Sequence, residues 1–421
     1  MTDGQDLLLI ADRSWDGVSD QVSGHTELLV RDGRIERIGP TVPRSAAPGA
    51  QVVELGDHTL LPGFIDCHVH TTMNPADVLG PAVSTSPAMV ALNSLPVLRT
   101  VLDHGFTTVR DMACFTADPI TVHLARAIAR GLVTGPRMIV APHLISARGA
   151  HGDFSTLLSP ALGVELVAVA DGPDEIRTAV RRDIRSGADW IKFGATGGFG
   201  SPSDDPGQAT YSQEEMNALV GAAADLGIPC TPHAYGDEGV RRAVLAGVRS
   251  VEHGNLASAQ TLQLMQDRGV FLVPTQFMVD DALEHLDEDT YWQGKTPEER
   301  TKFRAYKDRL MECARNLADS EVKVAFGTDI GMFPHEQAWR EFPTMVKLGL
   351  SPARALRAAT SVAADLLDRS DLGRLAPGCT ADVIAVPGDP MDDITVTGQV
   401  AFVLQGGLVH ARPAADDGAG T

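Results

Sequence analysis

Between residues 62 and 371, short apolar runs recur at a spacing that few folds can satisfy: Phe64 to His70, Thr107 to Met112, Arg137 to Ile145, Asp189 to Gly194, Ile228 to Ala234, Ser250 to His253, Val270 to Thr275 and Val322 to Asp329. Each has the length of a buried strand. Most of the stretches between them carry helix punctuation, a Ser, Asp or Pro start and often a Gly stop, as in Pro119 to Arg130, Asp174 to Ser186, Ser212 to Leu226, Glu298 to Ser320 and Ser351 to Leu367. Eight strands with intervening helices over roughly 300 residues predict an α/β chain of the TIM-like (β/α)8 barrel class. A doubly wound open sheet is the alternative, and it usually has fewer strands and a Gly-rich phosphate turn. The turn Gly194-Ala-Thr-Gly-Gly-Phe-Gly200 lacks the dinucleotide spacing and reads as a flexible active-site loop.

The two chain ends read differently. Short strands punctuated by turns are expected at Leu7 to Ala11, His25 to Arg31, Ile35 to Ile38, Val52 to Leu55 and Thr59 to Leu61, with Arg31-Asp-Gly-Arg34 as a hairpin signal and Ser45 to Gly49 as a loop. Gly373 to Gly378, Ala381 to Val386, Val400 to Leu404 and Gly406-Gly-Leu-Val-His410 have the same character. These ends predict a small β-sandwich domain made from residues 1–61 and 372–421, with the barrel, 62–371, inserted between them. The tail Pro413 to Thr421 is small and polar and predicts disorder.

The formal charge of −20 argues against nucleic-acid or anionic-membrane partners, which would be repelled. The start, Met-Thr-Asp-Gly-Gln-Asp, has no basic region, and Leu7 to Ala11 is too short for a signal core or a membrane span, so the expected compartment is the cytoplasm. Five cysteines without paired spacing fit a reducing compartment.

In a barrel of this kind the active groups sit at the C-terminal ends of the strands. Those ends hold a biased set: His68 and His70 on the first, Lys192 on the fourth, His233 on the fifth, His253 on the sixth and Asp329 on the eighth. Strand alternation puts both imidazoles of His68-Val69-His70 on one face. Singly, each residue has a bland reading as a core histidine, a capping aspartate or a snorkelling lysine. Jointly, six ligand-capable residues at one end of five strands predict a metal site.

The order His-x-His, Lys, His, His, Asp on a barrel flanked by a split β domain resembles the amidohydrolase superfamily over nearly the whole chain. The resemblance is carried by Leu61-Pro-Gly-Phe-Ile-Asp-Cys-His-Val-His70, Ser250-Val-Glu-His-Gly254, Gly373-Arg-Leu-Ala-Pro-Gly378 and Ala381-Asp-Val-Ile384. It implies two divalent metal ions, His68, His70 and Asp329 on one and His233 and His253 on the other. A carboxylated Lys192 and a hydroxide would bridge them, because a buried neutral amine can react with carbon dioxide to give a bidentate carbamate. Nitrogen and oxygen ligands suit zinc first, with manganese or cobalt able to substitute. Charge counting leaves one positive charge for an anionic intermediate, and Asp329 would carry a proton from the attacking water to the leaving amine.

Within that superfamily, Ile145-Ser-Ala-Arg-Gly-Ala-His-Gly-Asp153, Ala195 to Pro202, His233-Ala-Tyr235, and Pro334-His335 leading to Arg340-Glu-Phe342 look like the imidazolonepropionase-related dipeptidases and amidases. That branch includes Xaa-Pro and Xaa-Arg/Lys dipeptidases and ochratoxin-hydrolysing amidases, and relatives in it are often homo-oligomers. The resemblance implies a small-molecule amide with a free C-terminal carboxylate, gripped by His151 and Tyr235, with Arg148 as a further candidate. Acidic pairs (Asp204-Asp205, Asp237-Glu238, Asp280-Asp281) could favour a basic side chain, and Phe199, Phe277, Met278, Tyr291 and Trp292 an apolar one. The segment Asp280 to Pro297 reads as a lid. Two rivals stand beside this reading: a mononuclear deaminase or ring hydrolase, which would need a glutamate closer to His233 than Glu238 is, and a non-catalytic scaffold, which would have lost ligands.

Overall fold

The computed structural model describes residues 6–76, 80, 84–153 and 166–411; the tail Pro413 to Thr421 lies outside them. Four strands open the chain: β1 (Leu7–Ser14), β2 (Thr26–Arg31), β3 (Arg34–Gly39) and β4 (Gln51–Pro62). The β2–β3 turn is made by Asp32 and Gly33, both at positive φ (50° and 71°), the conformation a tight two-residue hairpin needs. The two strands expected at Val52 to Leu55 and Thr59 to Leu61 are one continuous β4, which runs through Gly63 into the barrel. A Cβ at Gly63 would lie 2.2 Å from Thr107 Oγ1, so only glycine lets the two strands approach there.

The middle of the chain supplies β5 (Phe64–Val69), β6 (Phe106–Met112), β7 (Arg137–Ala141), β8 (Leu144–Ser146), β9 (Ala168–Val169), β10 (Ile191–Gly194), β11 (Cys230–Gly236), β12 (Ser250–Leu256) and β13 (Phe271–Val273). Their pairing is parallel throughout, in the orders β5-β6-β7 and β13-β12-β11-β10-β8-β9. The expected third strand, Arg137 to Ile145, is thus broken at Pro142-His143, where proline has no N–H to donate. The Val140 carbonyl accepts from the amides of Asp189 and Trp190 at 2.9 and 3.1 Å, which carries the pairing on toward β10.

The expected eighth strand is irregular as well. Val322 to Asp329 makes a single parallel bridge, Leu272 with Val324, and the next residue, Ile330, makes another with Val69 on the other side. Backbone hydrogen bonds still run both ways, from Ala325 N to Leu272 O at 2.9 Å and from Cys67 N to Phe326 O at 2.8 Å, so the segment sits between β13 and β5. Gly327 lies at its middle, where a Cβ would meet Val273 Cγ1 at 2.2 Å.

Helices separate most of these strands: Pro87–Asp103, Ile120–Ala129, Gly172–Ser186, Gln213–Ala224, Asp237–Ala246, Ala259–Arg268, Gln276–Glu284 and Pro297–Asp319, then Glu341–Lys347, Pro352–Ala358 and Ser361–Leu366. Four of the expected helices appear within two residues of their expected ends, and Ser212 closes a reciprocal capping box with Glu215. The expected helix Ser351 to Leu367 is split. The carbonyls of Ala358 and Ala359, which would have continued it, accept instead from the amides of Phe326 and Ile65 at 2.9 and 2.7 Å.

The chain ends with β14 (Val383–Pro387), β15 (Phe402–Gln405) and β16 (Leu408–Ala411), and these join the first strands in one sheet of order β16-β15-β14-β4-β1-β2-β3. Both halves of the sheet feed one core, with Leu7, Leu9, Leu28 and Leu60 against Val383, Phe402 and Leu404. Register shifts between Ile10 and Arg13 are irregularities of the kind that bend a strand. The segment Gly373 to Gly378 is not a strand. It docks on the opening strands by Leu375 N to Asp16 O (2.9 Å) and Gly378 N to Ile35 O (2.8 Å). No helix of the described residues is long and apolar enough to cross a membrane.

One ion pair is fully enclosed by the parallel strands. Arg110 on β6 donates from Nη2 to Glu252 Oε1 on β12 at 2.7 Å, with both side chains at 0% exposure. The guanidinium also lies 4.4 Å over the Trp190 ring and donates to the Cys67 carbonyl at 2.7 Å. Removing one partner of such a pair strands a buried charge. The variant Arg110→Met should therefore lose about 3–5 kcal/mol of unfolding free energy, and the double variant with Glu252→Gln should recover part of it, read from urea melts of both proteins.

Candidate active site

Strand alternation puts His68 and His70 on one face of β5 and just beyond it, and both side chains are buried. Each ring is fixed through Nδ1. His68 bonds the Glu252 carboxylate at 2.8 Å, and His70 donates to the Ala113 carbonyl at 3.0 Å. The Nε2 atoms are left facing Asp329 Oδ1, at 3.4 and 3.1 Å. Ligand-capable atoms of His68, His70 and Asp329 all lie within 4.8 Å of one another.

The other expected ligands stand beside this trio. The His253 ring is 5.1 Å from His68 and 4.6 Å from His233, and its Nδ1 bonds Thr275 Oγ1 at 2.8 Å. His233 gives Nε2 to the Gly197 carbonyl at 3.3 Å, so its other nitrogen is the one not committed there. Lys192 is 3% exposed, and its Nζ has no hydrogen-bond partner among the described residues. Burial pulls its ammonium down to about 8, against the opposing pull of Glu252 and Asp329.

Burial also holds His68 and His233 well below the ordinary imidazole range and His253 at about 3, which keeps all three neutral, the form in which imidazole binds a metal. His70 differs: burial works against its charge, but the contact with Asp329 outweighs it and raises the ring. Asp329 is held well below the usual carboxylate range; burial opposes this, and the neighbouring His68 and His70 prevail. Neutral imidazoles, an ionised carboxylate and a partnerless amine in one buried cluster fit a divalent metal centre. The set is nitrogen and oxygen throughout.

The backbone is left-handed at four non-glycine residues around this cluster: Ala113 (106°), His253 (71°), Thr275 (44°) and Asp329 (63°). Each such residue costs on the order of 1–3 kcal/mol, and such strain gathers at functional sites.

Glu252 and Arg110 belong to the site's support and had no assigned role in the sequence. Regular alternation sends Glu252 to the face opposite His253, away from the cluster. The left-handed φ of His253, followed by that of Gly254 (66°), breaks that alternation, and Glu252 reaches His68 across the interior. Its presence inside Ser250-Val-Glu-His-Gly254 was the available signal.

The candidate substrate contacts divide. The His151 ring stacks on His233 at 3.8 Å, with Nδ1 3.2 Å from Ser201 Oγ and 3.4 Å from Asp204 Oδ2. Tyr235 is buried and stacks on His253 at 4.6 Å. Arg148 stands apart, its side chain 65% exposed and paired with Asp171. The acidic pairs are largely committed elsewhere: Glu238 to Arg241 and Arg242, Asp280 to Lys347, Asp205 to the Tyr306 hydroxyl. Of the aromatic residues, Phe199, Tyr235, Trp292 and Phe303 pack together with Leu256 beside the histidines. Trp292 in the expected lid is buried there and donates to the His285 carbonyl at 2.9 Å, whereas Phe277 packs on Phe333.

This arrangement has close counterparts. Residues 59–410 match the model of the amidohydrolase family. The chain is 29% identical to the ochratoxinase of Aspergillus niger over 376 residues, 84% of this chain and 76% of that protein. The crystal structure of that ochratoxinase superposes with a TM-score of 0.85 at 26% identity, covering 97% of this chain and 96% of that one. A Xaa-Pro dipeptidase with methionine bound in its active site gives 0.87 at 32% identity, over 96% of this chain and 99% of that one. The imidazolonepropionase of Salinispora tropica is 27% identical over 92% of both chains. The protein is an enzyme acting on amide bonds, and it belongs to the amidohydrolase family.

Proposed function

We propose that this protein is a binuclear metal-dependent hydrolase that cleaves the amide bond of a dipeptide or N-acyl amino acid with a free C-terminal carboxylate, of the Xaa-Pro, Xaa-Arg/Lys or ochratoxin A type. The observation that carries the reading is Lys192, a buried amine without a hydrogen-bond partner among the described residues and within electrostatic reach of Glu252 and Asp329. Its lowered proton affinity makes the neutral, carbon-dioxide-reactive form accessible near neutral pH. His68, His70 and Asp329 would hold one ion, His233 and His253 the other, and carboxylated Lys192 both. Two divalent ions, zinc first, supply Lewis acidity toward the scissile carbonyl and lower the pKa of bound water.

The remaining work belongs to the chain's own groups. Glu252 and the Ala113 carbonyl hold the Nδ1 atoms of His68 and His70, so that both Nε2 lone pairs face the reaction centre. An Asp329 carboxylate oxygen takes the proton of the attacking water and returns it to the leaving amine. Tyr235 and His151, set against His253 and His233, grip the carbonyl oxygen and the substrate carboxylate. The Phe199, Trp292 and Phe303 group excludes water and offers an apolar wall to a Pro, Phe or acyl group. Support for a free-carboxylate product comes from the dipeptidase neighbour, whose active site holds methionine. Five buried, unpaired cysteines accord with the cytoplasm as its compartment.

A mononuclear deaminase is disfavoured by Glu238, which is bonded to Arg241 and Arg242 on the helix Asp237–Ala246.

Substituting Lys192→Ala should lower kcat/KM for amide cleavage by about 100-fold or more, as loss of a metal-centre group does, while Glu238→Gln leaves it within about twofold, as surface changes do; full activity in Lys192→Ala would remove the carbamate from the reading. For Asp329→Asn, kcat should collapse, and near wild-type turnover would mean the proton shuttle is misassigned. A screen of the zinc-loaded enzyme against dipeptides, N-acyl-phenylalanines and ochratoxin A, each beside its methyl ester, should show cleavage of the free acids. Cleavage of the esters alone overturns the substrate class.

A further inference from the structure

The helix Gln276–Glu284 begins unlike its neighbours. In five other helices the N-cap hydroxyl, that of Ser86, Ser212, Ser258, Thr296 or Ser351, accepts from the amide three residues on. Thr275 holds the same position before Gln276 but makes no such bond, and its backbone is left-handed (φ 44°) rather than extended. Its hydroxyl is used elsewhere: Oγ1 lies 2.8 Å from His253 Nδ1.

The first amides of that helix are taken instead by Glu341, the first residue of the helix Glu341–Lys347. Its Oε1 accepts from Gln276 N at 2.8 Å and its Oε2 from Phe277 N at 2.7 Å. The carboxyl is wholly enclosed, and burial pushes it up to about 8 against the pull of those two amides. Enclosing a carboxyl is costly, and a threonine already stands where it could cap this helix by itself. The distant cap has an effect that a local one lacks. It leaves the Thr275 hydroxyl for His253, whose Nδ1 is thereby committed and whose Nε2 remains for a metal.

We propose that Glu341 is a positioning residue for His253: by capping Gln276–Glu284 it holds Thr275 in the left-handed conformation, and Thr275 holds the His253 ring. The inference rests on the reading of His253 as a metal ligand, and the effect of Glu341 on the ring runs through Thr275.

The crystal structure of Glu341→Gln, in which one carboxylate oxygen gives way to an NH2 that cannot accept, tests the proposal directly. The expected result is a Thr275 hydroxyl turned to accept from Met278 N, with its bond to His253 Nδ1 lost. Zinc titration of the metal-stripped full chain against a chelating indicator supplies a second readout. One zinc site should weaken by about 10- to 100-fold in Glu341→Gln, and by a similar factor in Thr275→Val, which removes the hydroxyl and keeps the cap. The double variant should be no weaker than either single one, because both changes cut the same link. A residue that only stabilises the fold would leave the zinc affinity of the folded protein unchanged. The proposal is overturned by an intact bond between Thr275 and His253 in Glu341→Gln, by unchanged zinc affinity in that variant, or by losses that multiply in the double variant. Should the wild type bind no zinc, the metal reading fails while the crystal structure still decides the positioning. If Glu341→Gln does not fold, Glu341→Asp, which draws the carboxylate back by one methylene, is judged by the same criteria.

Discussion

The carboxylate of Glu252 ties the barrel interior to the reaction centre. It is wholly enclosed, so it must be compensated where it stands, and four strands supply the partners: Arg110 from β6, Thr231 from β11, Ser250 from β12 and His68 from β5. One anion therefore sets the orientation of a candidate metal ligand and cross-links strands that are not neighbours. A well-packed apolar core would hold the strands equally well. What it would not do is hold the Nδ1 side of an imidazole and aim its Nε2 at Asp329.

A second constraint acts on the backbone. Where Ala113, His253, Thr275 and Asp329 take positive φ, the strands stop behaving as regular strands and their side chains or carbonyls turn toward one another. The irregular eighth segment is part of the same pattern: Asp329 N donates to the His68 carbonyl at 2.8 Å while its side chain meets both histidines. Strain at the strand ends is tolerated because hydrogen bonds between packed segments over-determine it.

Much of this was legible in the residues. Apolar runs and helix punctuation located the parallel strands, because burial on both faces demands near-continuous hydrophobic sequence. The six candidate ligands were found by position alone, at the strand ends. Illegible were the breaks: Pro142 interrupting β7 and β8, and the split between Ala358 and Ser361, where carbonyls serve distant strands rather than their own helix. Arg148 was named on the family resemblance as a further substrate contact, and only the tertiary structure shows its side chain 65% exposed and paired with Asp171, 23 residues on.

The sequence by itself determined the class of fold and the identity of the buried nitrogen and oxygen groups, since local periodicity and residue chemistry do not depend on distant contacts. Tertiary structure alone decided which nitrogen of His68 and of His70 faces Asp329, that Lys192 Nζ has no partner among the described residues, and that Glu252 turns inward to serve His68. Those outcomes rest on burial and on contacts between residues as far apart as 184 positions, and no short-range pattern encodes them.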